Sequence, residues 1–267
     1  MMCAQVGNFT RAAGRLHITQ SALSQRIINL EEELGTTLFI RDRKGIRLTD
    51  GGEELLRYCI AKDSLEREII FKIKKAAKNE IAGTIRIAGF SSVMRSFVLP
   101  SLSTIVKSHP DVRLLFMNRE MDELPGYLRR GEVDFLILSS EIDQQGIESI
   151  YLGDERNVLI EKRGYSGPDV YLDHDENDKV TAQYLKMIKY KAKYQRNFMD
   201  DVYGLIDGVK AGLGRAVVPR HLIENVSDVK IVNEKELTVS VFLNYYSQPY
   251  YSKLHRLVVK TLRENKF

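Results

Sequence analysis

"ITQSALSQRIINLEEELGTTLF", residues 18–39, is the stretch on which the fold of the amino-terminal part turns. Thr19 is suited to N-cap a helix that opens with Gln20, Ser21 and Ala22. Leu23, Ile27, Leu30 and Leu34 then recur at helical spacing and make one narrow apolar stripe, and Gly35 ends the run as a C′ glycine. On an ideal wheel with Thr19 at zero, the stripe lies between about 20° and 80°. Ser21, Ser24, Gln25 and Ile28 lie between about 140° and 240° on the same wheel. The two ends differ: the leading turns are polar and uncharged, whereas the trailing turns carry Glu31, Glu32 and Glu33. Gln pairs bidentately with adenine and Ser is adaptable, so the leading end suits base edges in a major groove, where the positive end of the helix dipole also belongs. The acids would lie away from phosphate. Taken alone, the stretch reads equally as an amphipathic helix with a solvated polar face.

The neighbours narrow that choice. "TRAAGRLH" (10–17) forms a short helix, and "TTLFIRDRKGIRLT" (36–49) gives two β-prone runs around Asp42–Gly45, a small hairpin or wing. From Thr49 to about Lys78 there is no proline and no glycine after Gly52. Leu65, Ile69, Ile73 and Ala76 fall on one line there, which predicts a long exposed amphipathic helix suited to a dimer seam or a connector. A boundary belongs near Ala82–Gly83, where the period becomes strand-like. Beyond it the strands "TIRIAGF", "VRLLFMN" and "VDFLILSS" alternate with the helices "MRSFVLPSLSTIVKSHP", which has Pro100 near its start, and "MDELPGYLRRGE". That βαβαβ order implies parallel strands covered by helices on both faces. Later pieces are the strands "NVLIEKR", "RAVVP" and "TVSVFLNYY", with "KYQRNF" between them, and the helices "DDVYGLIDGVKAG" and "SKLHRLVVKTLRENK".

Bulk properties exclude several classes. No window approaches the roughly 20 apolar residues of a membrane span, and "MMCAQVGNFTRAAGRL" has no signal-peptide layout. Cys3 and Cys59 are the chain's two cysteines, without metal-ligand spacing, so no disulfide framework, metal site or cofactor is indicated and a cytoplasmic location is expected. Residues 1–49 hold seven Lys/Arg against four acids, so most of the net charge of +4 sits in the head and suggests a contact with a polyanion.

The segments "FTRAA", "TQSALSQRI", "LEEELG", "LFIR" and "LTDGG", in that order across residues 9–56, resemble the DNA-binding region of the LysR-type transcriptional regulators. "GTIRI", "LRRGEVDFLIL" and "GLGRAVVP" resemble that family's regulatory half more loosely. The resemblance implies an α/β protein overall. Its parts are an α-rich winged helix–turn–helix domain at 1–49, a linker and dimerisation helix at 50–80, and a two-subdomain effector-binding domain at 83–267. In the last, subdomain I covers about 83–157 with 244–267, and subdomain II about 158–243. It implies binding to double-stranded operator DNA, a homodimer or homotetramer, and a small effector in the cleft between subdomains; RNA polymerase is a further partner it allows. One departure stands out: only Met1–Val6 occupy the place of the family's first helix, roughly two turns fewer. On that reading either the start is assigned late or Leu16, Leu23 and Ile27 have lost packing partners, and a chain extended upstream is expected to bind DNA more tightly.

The residues expected at DNA are Gln20, Ser21, Ser24 and Gln25 for bases, Arg26 for phosphate or base, and Arg41, Arg43, Lys44 and Arg47 on the wing for phosphate or minor groove. Arg41 has the alternative of pairing with Glu31. Thr10 and Arg11 open the first complete helix, where phosphate binds helix N-termini. In the regulatory half, ligands bind beyond the carboxyl ends of strands. The residues there are Ser91 and Ser92, Asn118 and Arg119, and Ser139 and Ser140, with Asp200 and Asp201 across the cleft. Any of the serines reads equally as a turn residue, and one aspartate as a helix cap. Arg95 and Arg119 suit an anionic group and Asp200 and Asp201 an amino group, so an organic acid or amino acid is the expected effector.

Other signals fail. "DHDEND" (173–178) has Asp178 where a calcium loop requires Gly and Tyr184 where it requires Glu, and reads as a solvated turn. The five histidines have no companion at catalytic or metal spacing, and "GLG" at 212–214 reads as a turn. "YLKMIKYKAKY" (184–194) reads as a strand with wet lysines and inward tyrosines, and "YYSQPYY" (245–251) as edge packing. An enzyme would need a convergent acid–base, nucleophile or metal set, and none is visible. A solute receptor with a non-functional or truncated head is the rival reading. It shares the two-subdomain architecture but gives residues 1–80 no purpose.

Overall fold

The computed structural model describes residues 1–42, 45–74, 81–119, 121 and 123–265. The wing residues Arg43 and Lys44, and Ala76 on the long helix, lie outside the described residues. Helices α1 (Met2–Val6), α2 (Phe9–Arg15) and α3 (Gln20–Leu34) precede a hairpin of β1 (Phe39–Asp42) and β2 (Gly45–Leu48). Asn8 caps α2 by accepting from the Arg11 N–H, and Thr19 caps α3 by accepting from the Ala22 N–H at 3.2 Å. Gly35 ends α3 in the left-handed conformation.

Five-residue α1 works on two sides. Cys3 and Val6 pack on Phe9, Ala12, Ala13 and Leu23, while Ala4 packs on Leu56 and Ile60. Leu23 is therefore buried, Ile27 is partly buried against the same cluster, and Leu16 is exposed. The trailing end of the α3 stripe is open as well, with Leu34 exposed.

The wing is tied to its neighbours by main-chain contacts. The Ile46 N–H donates to the Gly7 carbonyl at 3.1 Å. Gly45 has φ 131°, and a Cβ there would stand 2.6 Å from the Gly7 oxygen, so no other residue fits that turn. Glu31 is not simply an acid held off phosphate, because its Oε1 accepts from the Leu38 N–H at 2.6 Å and the Phe39 N–H at 3.2 Å. That carboxylate fixes the path from α3 into β1. The pair between Arg41 and Glu31 is consequently not formed; Arg41 lies over the Phe9 ring, 4.8 Å from its centroid.

Thr49 caps α4 (Asp50–Lys74) by accepting from the Gly52 N–H. Leu65, Ile69 and Ile73 are exposed along it, Ile73 the most at 72%. Its first turns rest on the regulatory half: Gln144 donates to Glu53 at 2.9 Å, and Arg57 lies over the Tyr246 ring.

The regulatory half is one sheet. Strands β3 (Gly83–Gly89), β4 (Val112–Asn118) and β5 (Phe135–Leu138) are parallel. Between β3 and β4 run α5 (Ser91–Val93), a π-helical turn at Met94–Val98 and α6 (Leu99–Ser108). Pro100 therefore stands well inside a helical run that starts at Ser91, not near its start. Having no N–H for the i−4 carbonyl, it accounts for a widened turn just before it. Helix α7 (Leu124–Arg129) leads into β5.

β6 (Ile147–Lys162) is long, and the second half follows with β7 (Val170–Asp173), α8 (Val180–Met187), β8 (Gln195–Phe198), α9 (Val202–Ala211), β9 (Arg215–Pro219) and β10 (Val229–Ile231). Then β11 (Leu237–Tyr246) returns and α10 (Lys253–Glu264) closes the chain. β8, β7 and β9 are parallel neighbours. β6 and β11 pair antiparallel from Leu237–Asn157 to Tyr246–Ile147, with a register break between Val241 and Phe242. These two strands join two cores: Ile85, Ile87, Leu102, Val241 and Val258 in one, and Val158, Ile160, Leu172, Leu205 and Val218 in the other.

One sequence expectation fails here and another holds only in part. Residues 184–187 lie in α8, not in a strand; Tyr184 is buried, and Tyr190 and Tyr194 set their edges on the Tyr171 ring from the loop that follows. The inward tyrosines are real, but a helix turns Tyr184 inward. "DHDEND" is a turn with Asp175, Glu176 and Asn177 exposed, as expected, but it is anchored at its first residue. Asp173 ends β7 at 1% exposure and pairs with Arg196, which also donates to the carbonyls of Asp175, Glu176 and Asp178.

Candidate functional site

The leading end of α3 carries an ordered polar face. Gln20, Ser21, Gln25 and Arg26 are exposed and Ser24 is half-buried. Gln20 Nε2 donates to Ser24 Oγ at 2.8 Å, and Gln25 Nε2 donates to Asn29 Oδ1 at 2.8 Å. Both bonds join residues one turn apart, so each glutamine is held along the helix with its carbonyl left over. Asn29 extends the face by a residue that the sequence reading did not single out. Thr10, Arg11, Arg41 and Arg47 are exposed. Arg11 is already engaged, its guanidinium donating to the Val6 carbonyl at 2.9 Å and its N–H to the Asn8 cap. The face is formed by exposed side chains over a small core; Leu23, on the opposite side of α3, is 5% exposed.

The second site is a cavity of about 760 Å³ between the two cores. Ser91, Ser92, Arg95, Asn118, Arg119, Ser139, Asp200 and Asp201 all line it; Ser140 does not, and its carbonyl is held by Asn244 instead. The parallel strands of both halves explain the convergence. Residues that follow β3, β4 and β5 face residues that follow β7 and β8, so the cavity lies beyond carboxyl ends on both sides. Sequence reasoning missed the contribution of β7, which brings His174, Asp175, Asn177 and Asp178 to the wall. It also missed Glu155, Asn157 and Tyr203, the first two on the crossover strand β6. A polar run such as "GDERN" inside a strand offers no signal that its acid is buried.

Several lining groups have structural duties. Asp201 caps α9 by accepting from the Tyr203 N–H at 2.6 Å. Asp178 accepts from the His174 and Val180 N–H groups, and Asp175 from those of Asn177 and Asp178. Asp200 holds a left-handed φ of 65°. Arg95, in the π-helical turn, spans the cleft with its guanidinium 3.9 Å from the centroid of the Tyr203 ring. Burial pushes the Tyr203 hydroxyl pKa up, Arg95 opposes that, and Asp201 and Glu155 add to it, so these four groups share one field. Glu155 is 5% exposed, and burial, partly countered by a hydrogen bond from Ser92, pushes its carboxyl up to about 7. Among the described residues no helix is long and apolar enough to cross a membrane, and no group of His, Cys, Asp or Glu is placed to hold a metal ion.

Comparison with known proteins follows the two parts of the chain. Residues 1–53 match the family described as "Bacterial regulatory helix-turn-helix protein, lysR family", and residues 78–172 match "LysR substrate binding domain". The HTH-type transcriptional regulator ShiR of Corynebacterium glutamicum is 36% identical over 170 residues, 61% of this chain and 56% of that one. Among solved structures, ArgP from Mycobacterium tuberculosis superposes with a TM-score of 0.77 at 23% identity, over 99% of this chain and 94% of that one. Full-length LysG from Corynebacterium glutamicum with bound effector Arg gives 0.75 at 17% identity over the same shares. The chain belongs to the LysR family of DNA-binding transcriptional regulators, with a helix–turn–helix head and an effector-binding substrate domain.

Proposed function

We propose that this regulator reads operator DNA with the leading end of α3 and senses a small polar metabolite in the cleft between its two regulatory cores. Gln20, Ser21, Ser24 and Gln25 would meet base edges, and Arg26, Arg41 and Arg47 phosphate. Two heads are needed for two half-sites one helical turn apart, and the exposed line Leu65–Ile69–Ile73 on α4 is the seam that would pair them, with a homotetramer built from such dimers. LysG, whose fold this chain shares, holds its effector Arg; here the cavity at the strand ends is the corresponding candidate place.

The observation that carries this reading is the rooting of α4 in both units. Gly52 lies under the Leu38 carbonyl of the wing, while Glu53 and Arg57 of the same turns hold Gln144 and Tyr246 of the regulatory half. A ligand that prefers one closure of the cleft thereby acts on the head that α4 carries. Its leverage is limited to the difference in its affinity for the two arrangements. The test is operator binding by the full chain at several salt concentrations, with and without candidate metabolites. Sequence-selective binding that falls steeply with salt supports the head reading. A metabolite whose effect on that binding disappears in Ser91→Ala supports the cleft. Binding that ignores sequence, or a metabolite effect that survives Ser91→Ala unchanged, would overturn the corresponding half.

A further inference from the structure

Glu155 poses a problem that the protein alone does not solve. It lies on β6 at the wall of the cavity, 5% exposed, and its Oε1 has no hydrogen-bond partner among the described residues. Ser92 bonds the carboxyl from one side. His221 Nε2 stands 4.0 Å from Oε1, beyond hydrogen-bond reach. Burying a carboxylate without a cation is among the most costly arrangements in a protein interior, and such a group retains its charge only if a donor arrives.

The rest of the wall has the same sign. Five carboxyl groups (Glu155, Asp175, Asp178, Asp200 and Asp201) share the cavity with two guanidinium groups, Arg95 and Arg119. Among the described residues neither arginine is ion-paired with any of the five. Arg95 lies over Tyr203, and Arg119 donates to Tyr127 and to the Asn118 carbonyl. Asp175, Asp178 and Asp201 are occupied by backbone N–H groups. The wall therefore offers an excess of negative charge with its most deeply buried acid unsatisfied.

We propose that the effector of this cleft carries a cationic nitrogen, an ammonium or a guanidinium, and that Glu155 is the residue that seats it. The proposal rests on the reading of the cavity as the effector site. It assigns the nitrogen to the Ser92–Glu155 side of the wall, and leaves Arg95 and Arg119 for a carboxylate where the effector has one. The groups that face Glu155 are Ser92 on α5, His221 in the turn after β9, and Tyr203 on α9 with Arg95 and Asp201 around it.

Titration calorimetry on the full chain tests it with probes of similar length: lysine and agmatine as cations, 1,5-pentanediol as a neutral probe that carries no ammonium, and glutarate as the anion. At least one cation should bind about tenfold or more tighter than the neutral and anionic probes, a difference of about 1.4 kcal/mol. Glu155→Gln should remove that preference. Protonation of Glu155 competes with the cation, so wild-type affinity should fall roughly tenfold from pH 8 to pH 6, while Glu155→Gln stays flat. Should Glu155→Gln fail to fold, Ser92→Ala carries the test, with weaker cation binding and a displaced pH midpoint. No binding by either cation, or cation binding that Glu155→Gln leaves unchanged, overturns the proposal. Glutarate binding that is lost in Ser91→Ala overturns it while the cleft reading stands. A probe indifferent to both substitutions binds elsewhere and overturns both.

Discussion

The head and the cleft organise their polar residues in opposite ways. On the head, Gln20, Gln25 and Arg26 stand in solvent on α3, and the core behind them, built from Cys3, Phe9, Ala12, Ala13 and Leu23, contains none of them. In the cleft, the wall is also the framework: Asp201 caps α9, Asp178 and Asp175 hold the turn after β7, and Glu155 is buried in β6. A surface face on a helix can change its side chains without changing its fold, because the stripe that packs is on the other side. A cleft at strand ends has no such separation, since loop backbone must be hydrogen-bonded and the lining side chains do much of that. Function and stability should therefore separate on α3 and remain joined around the cavity.

The strongest way to break the comparison is Arg196→Ala. Arg196 does not line the cavity, yet it pairs with Asp173, 1% exposed, and gathers the carbonyls of Asp175, Glu176 and Asp178. Removing it leaves a buried carboxylate uncompensated, a loss of about 3–5 kcal/mol. Denaturant unfolding should show that loss, and effector affinity should fall with it. If the wall keeps its affinity while stability drops, framework and wall are separable after all.

Gly52→Ala attacks the joint. A Cβ at Gly52 would stand 2.1 Å from the Leu38 carbonyl oxygen, which belongs to backbone and cannot swing away. Overpacking of that kind costs about 3 kcal/mol. The variant should lose operator binding while the regulatory half keeps its own thermal transition and its effector. A single, uniformly lowered transition would mean that head and body unfold as one.

Glu155→Gln, measured without ligand, sharpens the comparison through pH. The folded carboxyl titrates near 7 against an ordinary value of 4.5. Between those values the folded state binds more protons than the unfolded one, so stability is full below 4.5 and declines as pH rises through 7, by about 3 kcal/mol in all. Glu155→Gln should lack that decline and be the more stable protein at pH 8. His255, buried and lowered to about 4, acts in the other direction, losing stability as pH falls from 6.5 towards 4. It is present in both proteins and cancels in the difference.

The same contrast explains what could be read from the chain. The head was legible because its determinants are contiguous: Thr19 as cap, the Leu23–Ile27 stripe and Gly35 as stop are local chemistry, and the structure repeats them. Even there a long-range bond was hidden, since nothing local announces that Glu31 turns back to the Leu38 and Phe39 N–H groups. In the regulatory half the order of strands showed where chain ends converge, so Ser91, Asn118, Ser139 and Asp200 fall on one cavity. Glu155 and the turn at 174–178 escaped because their placement depends on β6 crossing between cores and on β7 pairing with β8, which are tertiary facts. Residues 184–187 went to the wrong class for a related reason: they are only the last turn of α8, too short a window to show a helical period.

The smallest effect belongs to the head, and it decides whether α3 reads bases or only phosphate. Gln25 is held by Asn29 in a bond along the helix, so on the proposed reading it would meet DNA already ordered and lose little rotamer freedom on binding. Gln25→Ala should cost about 1–3 kcal/mol on the preferred operator and almost nothing on unrelated duplex. Arg26→Ala should instead weaken binding to both, and lower the slope of log affinity against log salt by about 1. Neither substitution touches the core on the far side of the helix, so thermal stability should move by less than about 0.5 kcal/mol. Equal losses from Gln25→Ala on every sequence would reduce α3 to a phosphate clamp. A stability loss in either variant would mean that the polar face of α3 helps hold the head together, and the separation of function from framework drawn above would fail where it is cleanest.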